Sequence, residues 1–425
     1  MKKLRYLLGA FAPLSLAPIA TVACNQPVEN KLTLEKLTQE VNKLTTDEKI
    51  QLVNSLTLSD DEKAKLINDI NSGVGITASI IWYMTSAEQK VAALQAYTLA
   101  TVAFDNLKKR GDTDKIDYSK VDKTTGAVKK AENGKAIPVV FMDIDETVFK
   151  NELSESDLVI KHKGKFLEDE KNKIDAVGNR NPVPGAIEFI NHVFENGGIV
   201  LFNSGIPQLE DSIKGIMKNL IAKGVKKEYV HEWMFWCSGV QPVLKDGKFD
   251  KTPWKTAINE FKKYKSSDKA YNTLKKSTTK NQRMNAVSDN KDGWNFKASD
   301  ANSDDGVVTK VIMRIGDDFG DFYDDAYKSK RNNTYSNEWL EKTEGAKDLF
   351  TKVEGAQGIK VTKAAKSGEE AKVEKVAWHQ FNVQVPGNAM YGSWASQYGH
   401  GSFKKLWDAL VALNKDSKDG TAETK

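Results

Sequence analysis

Asp143-Ile144-Asp145-Glu146-Thr147 follows directly on the apolar run Ile137-Pro138-Val139-Val140-Phe141-Met142. Two carboxylates at i and i+2, just past a strand end, can enter one crevice. The first, Asp143, can attack phosphorus and carry an aspartyl-phosphate. The second, Asp145, can protonate a leaving oxygen and then take a proton from water. Such a pair also recurs by chance as a solvated loop, and the apolar strand before it is what argues for a site. A second acidic loop, Gly316-Asp317-Asp318-Phe319-Gly320-Asp321-Phe322, follows Val308–Ile315. Aspartates from both loops would give a hard divalent cation such as Mg²⁺ the oxygen ligands it requires. Ser204 and Gly205 end a third apolar run, Ile199–Phe202, and offer a hydroxyl and a backbone N–H to a phosphate oxygen. Lys280 precedes the Asp317 strand, and its ammonium could offset the phosphate and aspartate charge. Among so many lysines, spacing alone does not select it.

These residues need a scaffold that brings three strand ends together. Apolar runs at 137–142, 199–202 and 308–315 read as buried strands, separated by helical segments at 187–195, 208–223 and 253–264. The pattern predicts an α/β fold: a Rossmann-like, mostly parallel sheet with helices on both faces, a helical cap and an N-terminal helical stalk. Residues 78–109 read as one long helix. Residues 240–310, rich in Lys, Asp, Asn and Ser, read as containing surface insertions, and 355–375 as a charged, Gly- and Ala-containing loop.

The chain has 425 residues, 40% hydrophobic and 28% charged, enough apolar material for a sizeable core. Its 63 basic and 58 acidic residues give a net +5, of which Lys2, Lys3 and Arg5 lie in the first 23 positions. The remainder is nearly balanced, which argues against nucleic-acid binding by bulk charge. Two cysteines, Cys24 and Cys237, exclude a disulfide framework and a CxxC zinc site. The histidines His162, His192, His231, His379 and His400 show no metal-ligand spacing, and Cys237 reads as a small buried hydrophobe. Trp233, Phe235 and Trp236 form one aromatic cluster, and Tyr391 and Trp394 another. Core packing is the favoured reading over a platform for a nucleobase.

Residues 1–23 read as a signal peptide, with a charged start and an uncharged Leu- and Ala-rich stretch interrupted by Pro13 and Pro18. Thr21-Val22-Ala23-Cys24 resembles a bacterial lipobox, with Thr21 where Leu is usual. The expectation is cleavage before Cys24 and attachment of a diacylglyceryl anchor to its sulfur, which supplies two acyl chains. That places the protein on the extracellular face of a bacterial cell membrane. Residues 24–75 read as a helical stalk with a near-repeat, Leu44–Asn54 against Leu58–Asn68, each copy opening on a capping-box pattern. Residues 76–412 form the expected main domain, and 413–425 a disordered tail.

The order of these residues resembles the haloacid dehalogenase superfamily and, within it, the class C acid phosphatases or DDDD-type lipoprotein phosphohydrolases. Ile81-Trp82 through Tyr97 resembles the family's N-terminal helix. Asp143–Thr147 with Asn151 resembles its first motif, Val183-Pro184-Gly185-Ala186 leads to the second at Ser204, Ser277–Arg283 resembles the third, and Gly316–Phe322 the fourth. Pro386–Trp394 resembles a motif near the family's C-terminus. The resemblance implies Asp143 as nucleophile and Mg²⁺ ligand. It implies Asp145 as general acid/base, binding metal through its carbonyl oxygen. Thr147, Ser204, Gly205 and Lys280 would hold the phosphoryl group, Asp317 would bind Mg²⁺, and Asp321 would support the metal shell. The implied substrate is a phosphomonoester, 5′-nucleotides among them. Gly205-Ile206 departs from the family's Asn-Arg, and Asp318 stands where Asn is common, so substrate choice is open. A binding lipoprotein that keeps the fold with weak turnover, and a phosphotransferase with another acceptor, are the rival readings.

Overall fold

A computed structural model describes residues 41, 43–60, 62–63, 66, 76–110, 115–162, 166–297, 306–327, 332–389, 392–398 and 403–416. Cys24, the signal segment, much of the stalk, Tyr391, His400 and the end of the tail lie outside these. The chain divides into two compact units, residues 1–76 with 401–425, and residues 77–400.

In the first unit, helix α1 spans Thr46–Ser55. Thr45 and Glu48 form a reciprocal capping box, Thr45 N–H donating to Glu48 Oε2 at 2.8 Å and Glu48 N–H to Thr45 Oγ1 at 3.3 Å. Ser59 and Glu62 make the same pair of bonds in the second copy of the near-repeat, at 3.0 and 3.4 Å.

The second unit opens with α2 (Thr77–Thr85) and α3 (Ala87–Arg110). The expected single helix is broken at Ser86, whose Oγ accepts from Gln89 N–H at 3.1 Å and caps the second piece. Strand β1 (Ile137–Met142) is buried throughout, as is β2 (Ile199–Phe202). Between them lie α4 (Glu152–Ile160), α5 (Glu168–Val177) and α6 (Ala186–Glu195). After β2 come α7 (Glu210–Ala222), α8 (Pro253–Phe261), α9 (Lys269–Lys275) and α10 (Lys280–Asp289). Strand β3 (Thr309–Gly316) is followed by the short α11 (Gly320–Tyr323), α12 (Asn333–Lys342) and α13 (Asp348–Thr351). A hairpin of β4 (Ala356–Thr362) and β5 (Lys372–Gln384) completes the sheet, and α14 covers Gly392–Gln397.

The sheet order is β2-β1-β3-β5-β4. The first four strands are parallel and β4 is antiparallel to β5. Continuous burial of β1, β2 and most of β3 is what a parallel strand covered on both faces requires. Pro138 is tolerated in the central β1 because β2 joins only from Val139 onward, so β1 is not flanked on both sides there. One apolar core surrounds the sheet, and a second, smaller one forms around Phe322, Tyr323, Trp339, Leu349 and Ile359.

Residues 240–310 also feed the core: Trp254, Trp294 and Phe296 are fully buried, with Trp294 edge-on to Trp236 at 4.8 Å between ring centres. One expectation is corrected. Residues 355–375 carry β4 and the start of β5 rather than a loop. There Ile359 and Val361 turn into the core, while Lys360 between them faces the other way, opposite Glu374 of β5.

Candidate active site

The parallel register sets three chain reversals side by side at the C-terminal edge of the sheet. Asp143 N–H donates to Ile315 O at 3.0 Å and Asn203 N–H to Met142 O at 2.8 Å, so the loops after β1, β2 and β3 start in contact. The Asp143–Thr147 loop then turns sharply. Glu146 adopts φ 55°, a left-handed conformation that a non-glycine residue reaches only under constraint. The constraint comes from the N-terminal helices. Tyr97 Oη donates to Thr147 O at 2.6 Å and Tyr83 Oη to Glu146 O at 3.3 Å. This is the work of the Ile81–Tyr97 segment, which brings no acid or base to the site itself. Glu146 and the buried Glu155 lie together behind the loop, and burial followed by each other's charge raises the Glu146 carboxyl well above its ordinary range.

Asp143, Asp317 and Asp321 offer carboxylate oxygens within 4.8 Å of one another. Gly316 permits this approach: a Cβ there would stand 2.2 Å from Asp321 Oδ2. Asp321 Oδ2 also accepts from Asp318 N–H at 2.9 Å, which closes the loop on itself. Lys280 Nζ bridges the cluster, donating to Asp143 Oδ1 at 2.7 Å and Asp321 Oδ1 at 2.6 Å. Thr147 Oγ1 donates to Asp317 Oδ1 at 3.3 Å. Five side chains separated by as many as 178 positions therefore meet in one cluster, with Asp143, Thr147 and Asp321 buried and Lys280 and Asp317 half-buried.

Lys280 is delivered there by the start of α10. Thr279 Oγ1 accepts from Gln282 N–H at 3.1 Å, and Asp324 accepts the Lys280 and Asn281 N–H groups at 2.6 and 2.8 Å. Asn203, at the end of β2, donates to Lys280 O at 3.1 Å and accepts from Arg283 Nε at 2.8 Å. Ser204 is buried and its Oγ accepts from Ile206 N–H at 3.3 Å. Gly205 is exposed, and a Cβ added to it would meet nothing within 4 Å. The strand end is therefore open just beyond the serine.

Crowding of like charge in a buried pocket governs the electrostatics. Burial, then repulsion from Asp321 and Asp145, pushes Asp143 up to about 7 even though Lys280 pulls it down. Burial, then Asp321, Asp143 and Asp318, raises Asp317 well above the carboxylate range. For Lys280, burial opposes the charge, but Asp143 and Asp321 outweigh it and the ammonium is held on. An all-oxygen set of three carboxylates, two of them, Asp143 and Asp317, raised by burial and neighbouring negative charge, fits a hard divalent cation. Asp143, Asp317 and Asp321 are the side chains that would hold it.

Asp145 stands apart from this cluster. Its Oδ1 accepts from Arg180 Nη1 at 2.6 Å and from Lys171 Nζ at 3.1 Å. Burial acts to raise its pKa, but the two cations overcome that and hold the carboxyl well below the usual range. Sequence reading did not find Lys171, Asp175 or Arg180. Lys171 and Asp175 look like an ordinary i,i+4 surface pair, and only the fold reveals that both are buried and that Lys171 reaches Asp145.

The aromatic residues Trp233, Phe235 and Trp236 are buried, in agreement with the core reading, and present no face to a nucleobase. Cys237 is buried as expected. Among the histidines, His192 pairs with Asp105 and His162 with Glu170, and neither joins the acidic cluster.

Residues 76–236 match the family model described as HAD superfamily, subfamily IIIB (Acid phosphatase). That span contains Asp143, Asp145, Thr147, Arg180 and Ser204, while Lys280, Asp317 and Asp321 lie beyond it and are joined to it by the fold. None of the curated proteins matches the chain. Among solved structures, the class C acid phosphatase from Bacillus anthracis is similar at 15% identity with a TM-score of 0.46, covering 83% of this chain and 100% of that one. The same enzyme with tungstate bound is similar at 14% identity with a TM-score of 0.44, covering 82% and 99%. Over residues 76–236, then, the chain is similar to the acid phosphatases of the HAD superfamily, subfamily IIIB.

Proposed function

We propose that the chain hydrolyses phosphomonoesters through an aspartyl-phosphate on Asp143, with Mg²⁺ as its divalent cation, at the outer face of a bacterial membrane. The observation that carries this reading is the convergence of Asp143, Asp317 and Asp321 around the Lys280 ammonium.

The Asp143 carboxylate attacks phosphorus, and the bond from phosphorus to the leaving oxygen breaks with its electron pair. An alcohol leaving group takes a proton from Asp145 when that residue carries one; an acidic phenol departs as its anion. Lys280 keeps Asp143 oriented and offsets the charge on the transferring group, while Thr147, Ser204 and Gly205 provide hydroxyl and backbone contacts to its oxygens. When bound, Mg²⁺ adds positive charge against the phosphoryl oxygens. Water then attacks the acyl phosphate, Asp145 takes its proton, and Asp143 is released with inorganic phosphate. Most of the catalysis is positioning and charge stabilisation.

Cys24 would carry the lipid that holds the protein at the membrane. No helix among the described residues is long and apolar enough to cross one. Cys24→Ser should release the protein from the membrane fraction or block its processing, and unchanged retention contradicts the anchor.

The test of the catalytic reading is a phosphomonoester panel, 5′-nucleotides included, on the chain from residue 25 onward, with Mg²⁺ or with a chelator. Metal-dependent phosphate release is expected, and Asp143→Asn should abolish it in a folded protein. Full activity in that variant overturns the assignment.

A further inference from the structure

We propose that Lys171 and Arg180 are positioning residues for Asp145, pinning its carboxylate through Oδ1 and leaving Oδ2 for the oxygen that reacts. This rests on the phosphatase reading of the site and adds to it residues that neither the motifs nor the metal cluster includes.

Both donors converge on the same oxygen, Arg180 Nη1 at 2.6 Å and Lys171 Nζ at 3.1 Å. The Asp145 side chain nevertheless stays 24% exposed, so it is held without being sealed. The two cations are themselves fixed. Lys171 Nζ donates to both oxygens of Asp175 at 2.7 and 2.8 Å, and Arg180 Nη2 lies 3.3 Å from Asp175 Oδ1. The Asp175 side chain has no exposure. Arg180 Nη1 also donates to Asn151 Oδ1 at 2.6 Å, and its guanidinium lies over the Phe149 ring at 5.3 Å.

The support behind this clamp is backbone. Gly178 ends α5 at φ 66°, and a Cβ there would stand 2.2 Å from Gly215 O in α7. A Cβ on Gly215 would stand 2.2 Å from Asp175 O. The two helices meet so closely that α5 cannot shift Lys171, nor the Gly178 turn that leads on to Arg180, without moving α7. Four charges, two of each sign, thus form a neutral, largely buried unit that reaches the site only through Asp145. A carboxylate held at one oxygen by two donors cannot swing, and displacement of a reacting group by ~1 Å costs roughly a hundredfold in rate.

The hydrolytic half of the reaction exposes this role. Water attacks the phosphorus of phospho-Asp143, the phosphorus–Asp143 oxygen bond breaks, and its electron pair returns to the Asp143 carboxylate. One water proton passes to Asp145 Oδ2, and inorganic phosphate leaves. With 4-nitrophenyl phosphate the first half needs no proton, because the phenolate departs as an anion, so only the second half depends on where Asp145 points.

The experiment uses the chain from residue 25 onward with Mg²⁺ and 4-nitrophenyl phosphate, comparing wild type, Lys171→Met, Arg180→Gln and Arg180→Lys. For Arg180→Gln, kcat should fall roughly a hundredfold. kcat/KM, which reports only the steps up to phenolate departure, should stay within about threefold. A pre-steady-state burst of one phenolate per active site should appear, and Lys171→Met should show the same split. Arg180→Lys should recover most of the lost kcat. Equal loss of kcat and kcat/KM, an unchanged kcat, or a lowered kcat without a burst overturns the proposal. If Arg180→Gln does not fold, the same criteria are read from Lys171→Met. A wild-type chain that releases no phosphate contradicts the phosphatase reading instead.

Discussion

The Asp143 carboxyl has an ordinary value of 3.8 and stands at about 7 in the folded chain, first through burial and then through the charges of Asp321 and Asp145. Between those two values the folded protein keeps a proton that the unfolded chain has already lost. Stability must therefore fall as pH rises through that window, by about 1.4 kcal/mol per unit of difference. The shift of about three units amounts to on the order of 4 kcal/mol, absent near pH 4 and complete above about pH 7. Asp145 works in the opposite sense, since its depressed value is a stabilisation lost on acidification, so the two must be separated. Asp143→Asn does this by removing the first group alone. In chelator, the variant should match wild type near pH 4.5 and melt several degrees higher at pH 8. Mg²⁺ competes with the proton for the same oxygens, so it should raise the wild-type melting point more at pH 8 than at pH 5, and do much less in the variant. Calorimetric melting of both proteins at the two pH values, with Mg²⁺ and with chelator, gives all of these differences. A variant that melts lower than wild type at pH 8 in chelator, or a Mg²⁺ effect that ignores pH, would show that Asp143 does not hold its proton in this way.

Lys280→Met leaves Asp143 and Asp321 without their shared cation. Stopped assays should show a loss of about a hundredfold or more in kcat, and urea titration at neutral pH a destabilisation of about 3–5 kcal/mol that shrinks on acidification. The Cys237 thiol, pushed up to about 12 by burial, should resist a disulfide reagent at pH 8 in the native chain from residue 25 onward and react at once in guanidinium; rapid native labelling contradicts its burial. Trp236→Ala should cost about 3–5 kcal/mol in denaturant titration. It should alter nucleotide and simple aryl phosphate turnover by the same factor, whereas a selective loss on nucleotides would restore the aromatic cluster as a base platform.

The apolar strands and the acidic loops after them were legible because a buried parallel strand has no polar face and its end is where charged side chains can emerge. Lys280 became identifiable only through the family pattern, since its distinguishing property is a tertiary contact with two aspartates more than 40 residues away. The Lys171–Asp175–Arg180 unit carried no signal at all: α5 reads Glu-Asp-Glu-Lys-Asn-Lys-Ile-Asp-Ala-Val, a solvated helix by composition. The burial of Trp254 and Trp294 was not legible because the lysines and asparagines of that segment outnumber the few rings that enter the core. The β4–β5 hairpin was misread because charge on its open face masked the buried alternation of Ile359 and Val361.

The mechanism depends above all on transient phosphorylation of Asp143. Rapid acid quench of the Arg180→Gln variant turning over 4-nitrophenyl phosphate, followed by peptide mass analysis, measures this directly. One phosphoryl group on the peptide containing Asp143, lost once the substrate is exhausted, is the expected result. Burst kinetics with that peptide unmodified, or the phosphoryl group on another residue, would contradict it.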